Sequence, residues 1–152
     1  SAFAGRGFVS RAAYTEFVLP YERRLNQAIR AAGVPVYTHT CGHIRDRLDL
    51  MIETQTGGLD TLDPPPLGDA DLAAAKRQVE GRLFLKGNID SVALLAYRMP
   101  DEVKTEVRRC LRDGAPGGGY ILSTACSVAP RIEPWKLELV AALGEAEGWY
   151  PG

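Results

Sequence analysis

The 152-residue sequence has little charge of one sign, no long apolar run, two histidines and three cysteines. Eighteen lysines and arginines against nineteen acids leave a formal net charge of -1. The basic residues are scattered along helical segments instead of gathered into a patch, so neither nucleic acid nor an anionic membrane is supported as a partner. No apolar stretch approaches the ~20 residues needed to span a bilayer. The opening SAFAGRGFVSR lacks a signal-peptide core, and a cytoplasmic location is the expectation. Cys41, Cys110 and Cys126 are odd in number and sparse, a pattern of reduced thiols and not of a disulfide framework.

What is present is an ordinary globular mixture, 45% apolar and 24% charged, enough for one packed domain over residues 1–152. Tyr14, Phe17, Val18, Tyr21, Leu25, Ala28 and Ile29 recur at helical spacing, predicting one amphipathic helix over 11–32, kinked by Pro20 and stopped by Gly33. The apolar run 34–40 predicts a strand, and Ile44, Leu48, Met51 and Ile52 return to the helical period. GLDTLDP at 58–64 predicts a second strand, followed by a Pro-rich loop and a helix through Leu72 and Val79. RLFLKGNID at 82–90 predicts a third strand. A short helix through 91–99 follows, then a second, capped by Asp101 with Val103, Val107, Cys110 and Leu111 on its apolar face. GGGYILSTAC at 117–126 predicts the last strand, and Pro134 opens the last helix. One helix followed by four strand-helix units implies an α/β fold with a parallel sheet. A (β/α)8 barrel needs eight such units, so the sheet is either small and open or half of a barrel that something completes.

In a strand, side chains two apart share a face, so Tyr37, His39 and Cys41 point one way while Val36, Thr38 and Thr40 point the other. His39 and Cys41 sit at the C-terminal end of the first strand, and Cys126 at that of the fourth. Active sites of parallel α/β folds gather at such ends. One imidazole and two thiolates form a zinc set with a fourth position open, the arrangement of catalytic rather than structural sites. Each of these residues also has an ordinary role as an alternative. A lone histidine or cysteine is commonly a core residue, and Cys110, on an apolar helix face, reads as a small hydrophobe. His43, after the turn glycine, reads as a loop residue, with substitution for His39 as a ligand its alternative. Asp60 and Asp63 close the second strand while Asn88 and Asp90 close the third. Tyr37, Asp60, Asn88 and Asp90 are candidates to line a substrate pocket, with helix capping the competing role for Asp90.

Four segments in order, HTCG at 39–42, GLD at 58–60, KGNID at 86–90 and GGYILSTACSVAP at 118–130, resemble the C-terminal half of the uroporphyrinogen decarboxylase superfamily. FVLPYERRLNQAIRAAGVPVY at 17–37 fits the same region. The His-x-Cys pair with a distant Cys is similar to the zinc-dependent corrinoid:thiol methyltransferase branch, whose members include those that methylate coenzyme M. That resemblance implies Zn2+ on His39, Cys41 and Cys126, a small thiol substrate, and methylcobalamin carried by a corrinoid partner protein. Decarboxylases of the superfamily share GLD and GNID but lack the His-x-Cys pair, and carry a histidine near the position of Cys126.

The resemblance also implies that half of a (β/α)8 barrel is missing, with two sheet edges left to cover. Either the chain is a fragment of a longer protein, or two copies join as a homodimer to rebuild a barrel. Two rival functions stand beside the methyltransferase. One is a non-catalytic half-barrel or metal-binding module that needs a partner chain. The other is a decarboxylase or related lyase acting on a tetrapyrrole.

Overall fold

The computed structural model describes residues 4–79 and 81–149. The expected first helix is two helices, α1 (Arg11–Phe17) and α2 (Leu19–Ala31). Pro20, at the start of α2, has no N–H to give to the preceding turn, so the chain breaks there instead of bending through. Four strand-helix units follow. Strand β1 (Thr38–His39) leads through a 3-10 turn (Arg45–Arg47) into α3 (Leu48–Glu53). Strand β2 (Gly58–Asp60) leads to α4 (Leu72–Val79). Strand β3 (Phe84–Ile89) leads to α5 (Ser91–Ala96) and α6 (Pro100–Gly114), and β4 (Tyr120–Thr124) to α7 (Pro134–Glu147).

The four strands form one parallel sheet in the order β1-β2-β3-β4. Sequential parallel strands, each with its helical return, are the architecture of a half barrel. The first strand is shorter than the apolar run 34–40. Its ladder is extended at both ends by single bonds, Gly57 N–H to Val36 C=O at 2.8 Å and Thr40 N–H to Asp60 C=O at 2.9 Å. Pro35, which cannot donate to a ladder, precedes this edge strand.

The core lies between the outer face of the sheet and the helices. Leu59, Leu85, Ile89 and Tyr120 from the strands meet Leu48, Met51, Leu72, Val79, Val103 and Val107, all buried. Each such side chain contributes roughly 1.5–3 kcal/mol by leaving water. Cys110 is fully buried in this layer, the small hydrophobe expected of it. Arg47 is also fully buried. Its guanidinium donates to Ala4 C=O at 2.6 Å and Val9 C=O at 3.0 Å, tying the N-terminal segment to the first unit.

The start of α6 differs from expectation. Glu102, not Asp101, caps it: the Glu102 carboxylate accepts from the N–H groups of Arg98 (2.8 Å) and Met99 (2.9 Å). Pro100 begins the helix, which places Asp101 in the first turn, where it pairs with Lys104.

Candidate metal centre

The opposite face of the sheet carries the chemistry. Parallel register sets His39 beside Asp60 and Asp60 beside Lys86, so one row across three strands holds an imidazole, a carboxylate and an ammonium. Beyond the strand ends, Cys41 follows β1 by two residues and Cys126 follows β4 by two. The ligand atoms of His39, Cys41 and Cys126 all lie within 4.8 Å of one another. Because β1 and β4 are the two edge strands, their loops can meet only if the sheet curves strongly, as a barrel wall does.

Within the cluster, His39 Nε2 is 3.2 Å from Cys41 Sγ. Burial pushes the Cys41 thiol up to about 11, and the charges of Cys126 and Asp63 act in the same direction. A dication would reverse that balance, since positive charge favours thiolate. Two soft sulfurs and an imidazole at this separation fit Zn2+, with one tetrahedral position left for another ligand.

The other nitrogen of His39, Nδ1, is 3.0 Å from Asp60 Oδ2, and Lys86 Nζ donates to Asp60 Oδ1 at 2.5 Å. Burial acts to raise the Asp60 carboxyl, but the hydrogen bonds and charges of Lys86 and His39 outweigh it and hold the group below its ordinary range. Thr61, whose φ of +73° lies in the left-handed region that β-branched residues avoid, brings Oγ1 to 3.0 Å from His39 Nδ1. A cleft of about 220 Å3 opens beside the cluster, lined by His39, Asp60, Thr61, Lys86, Ser123 and Cys126.

Asp63 works beneath this surface. Its Oδ2 accepts from Gly42 N–H at 2.7 Å and so fixes the turn after Cys41, where Gly42 takes a φ of +70°. Its Oδ1 is buried with no hydrogen-bond partner among the described residues. A Cβ at Gly68 would meet Asp63 O at 2.2 Å and Gly42 O at 2.6 Å, so only glycine lets the following loop close over this turn.

The remaining candidates lie elsewhere. Tyr37 is on the same face as His39 but rests its ring against Phe84, centroids 5.6 Å apart, and does not line the cleft. Asn88, expected to face a pocket, is buried behind the sheet. Its amide donates to Leu62 C=O at 2.9 Å and accepts from Arg109 of α6 at 3.0 Å. Gly87, at a φ of +136°, breaks the strand's alternation just before it. Asp90 caps α5, accepting from Val92 N–H at 2.8 Å and Ala93 N–H at 3.0 Å. His43 lies in the loop, its carbonyl accepting from Arg6 N–H at 2.7 Å. Lys86 and Thr61 are site residues that residue type alone did not mark. The signal for Lys86 is a charged residue directly after the apolar Phe84 and Leu85 of a strand, in register with Asp60.

Comparison with known proteins agrees with this architecture. The family model described as uroporphyrinogen decarboxylase matches residues 4–145. A uroporphyrinogen decarboxylase from Pseudomonas fluorescens (strain SBW25) is 31% identical over 133 residues, 84% of this chain and 35% of that protein. Another from Saccharopolyspora erythraea is 31% identical over 149 residues, 93% of this chain and 39% of its own length. The chain thus spans well under half the length of these relatives. A solved methyltransferase from Methanosarcina mazei superimposes with a TM-score of 0.82 at 19% identity, over 97% of this chain and 41% of its own. At that identity the likeness speaks for the fold, and 41% coverage agrees with half a barrel. With the family model covering nearly all of its length, this chain belongs to the uroporphyrinogen decarboxylase family.

Proposed function

We propose that the chain carries the zinc site of a methyltransferase-like member of this family, which prepares a small thiol to receive a methyl group from a methylcorrinoid held by a partner protein. The observation that carries the reading is the convergence of His39, Cys41 and Cys126 at the C-terminal rim of the sheet. Zinc on these three residues would supply a Lewis acid that keeps a substrate thiol deprotonated near neutral pH. The chain's own residues do the rest. Asp60 and Thr61 hold the His39 ring, and Asp63 holds the turn that presents Cys41. Ser123, Thr124 and Ser127 line the adjoining cleft of about 220 Å3. The fold of the Methanosarcina mazei methyltransferase supports the same reading.

Metal analysis of protein purified without chelator is the test. About one equivalent of zinc is expected, falling steeply in Cys126→Ser and in Cys41→Ser. Less than about a tenth of an equivalent in the unaltered protein, or no loss in Cys126→Ser, overturns the reading.

A second reading is decarboxylation of a porphyrinogen. The relatives from Pseudomonas fluorescens and Saccharopolyspora erythraea carry that name, while the His39 and Cys41 pair at the rim favours the first reading. Saturable binding of a porphyrin in an absorbance titration would favour the second, and absence of binding would retire it.

A further inference from the structure

The row His39, Asp60 and Lys86 carries an inference that rests on the metal reading and goes beyond it. Asp60 was a candidate to hold substrate, yet its two oxygens are both engaged. Oδ2 lies 3.0 Å from His39 Nδ1 and Oδ1 lies 2.5 Å from Lys86 Nζ. We propose that Asp60 is a positioning residue that fixes His39 as the Nδ1–H tautomer with Nε2 turned to the metal-binding cluster, and that Lys86 anchors Asp60 for this role.

Three observations support it. First, the placement follows from the backbone. The three residues are direct register partners on adjacent parallel strands, so their side chains rise from one face as neighbours without any loop to order. Second, an ionised carboxylate only accepts hydrogen bonds, so in the neutral ring the nitrogen facing it carries the proton and the other carries the lone pair. That other nitrogen, Nε2, is the one 3.2 Å from Cys41 Sγ. Third, the His39 side chain is 46% exposed, and an exposed imidazole with no fixed partner would rotate freely. The carboxylate, itself only 17% exposed, and the Thr61 hydroxyl, which lies 3.0 Å from Nδ1 and 3.3 Å from Nε2 and so sits over the ring, remove that freedom. Lys86 completes the device. An unanchored Asp60 could swing toward the cluster or toward solvent, and the ammonium on its far oxygen prevents both.

Two measurements on the full chain test this, one with metal and one without. In the metal-free protein, 15N-resolved imidazole spectra at a pH where both histidines are neutral have only His39 and His43 to distinguish. His39 is expected as the Nδ1–H tautomer in the wild type and to revert to the Nε2–H form, which free histidine prefers, in Asp60→Ala. An Nε2–H form in the wild type overturns the proposal whatever the metal does.

With Co2+ as the probe, competition against a chelator is expected to show affinity lowered about 10–100-fold in Asp60→Asn. Lys86→Met is expected to weaken Co2+ binding and shift the visible absorption bands, with Lys86→Arg restoring both. The sign is decisive. Removing a positive charge near a dication would by itself tighten binding, so weakening in Lys86→Met reports lost positioning. Unchanged or tighter binding in that variant overturns the role of Lys86. If the wild type binds no Co2+ but keeps the Nδ1–H tautomer, the metal reading fails while Asp60's hold on His39 stands.

Discussion

Cys41 makes a side-chain environment measurable. Burial, then the charges of Cys126 and Asp63, push its thiol up to about 11 from an ordinary value of 9.0. Two units cut the thiolate fraction about a hundredfold at pH 8, and the greater intrinsic nucleophilicity of a more basic sulfur restores about tenfold. In the metal-free folded protein, iodoacetamide should therefore label Cys41 roughly tenfold more slowly at pH 8 than in the denatured chain. Its labelling rate should rise with pH until about 11. Peptide mapping of the alkylated protein reads this directly, and equal rates in folded and denatured chains would refute the role of burial. The same scale shows what residue type can and cannot reveal. His39, Cys41 and Cys126 are legible because ligand chemistry and period-two spacing coincide at strand ends. Lys86 is not, because a lysine carries no meaning until the register sets it beside Asp60. Asn88 was misleading because Gly87 interrupts the alternation that its expected orientation assumed.

At the scale of elements, the helices were legible where apolar residues keep their period, and the boundaries failed where backbone chemistry intervened. Pro20 split the first helix, and Pro100 with Glu102 moved the start of α6. Apolar runs overstate strand length because they record burial, whereas a strand needs a partner's ladder, and among the described residues β1 has one on a single side. The end of α6 offers a test in which packing opposes propensity. Replacing a helical glycine by alanine ordinarily stabilises by about 0.5–1 kcal/mol. At Gly114, however, a Cβ would lie 2.7 Å from the Tyr120 ring, which is held from its far end by a hydroxyl hydrogen bond to Gly87 C=O. Tyr120 is buried and cannot swing away freely. Overpacking of this kind costs about 1–3 kcal/mol, so Gly114→Ala should lower stability by about 1–2 kcal/mol in urea unfolding. A gain in stability would mean that β4 and α6 can separate at little cost.

On the scale of the whole molecule, the sheet has two open sides. Among the described residues, strand β1 pairs with β2 alone and β4 with β3 alone, and the face that bears His39, Cys41 and Cys126 also exposes Tyr37 (52%) and Ile121 (46%). An apolar groove of about 680 Å3 runs between α6, β4 and α7, lined by Leu111, Leu122, Leu137, Val140 and Trp149. Open strand edges beside apolar surface are the combination that folded proteins cover. The relatives are long enough to supply a second half barrel within one chain, since this chain spans 35% and 39% of two of them. For these 152 residues alone, a second copy offers the same cover. Two four-stranded sheets related by a two-fold axis would set β4 of each copy against β1 of the other, closing both edges at once. Light scattering after gel filtration should accordingly give a mass above the 16.5 kDa of one chain. Lysine substitutions at Ile121 and Val140 should shift that mass downward by placing charge on the apolar surface that a second copy would cover. A monomer at every concentration would show that the helices and loops already present protect both edges.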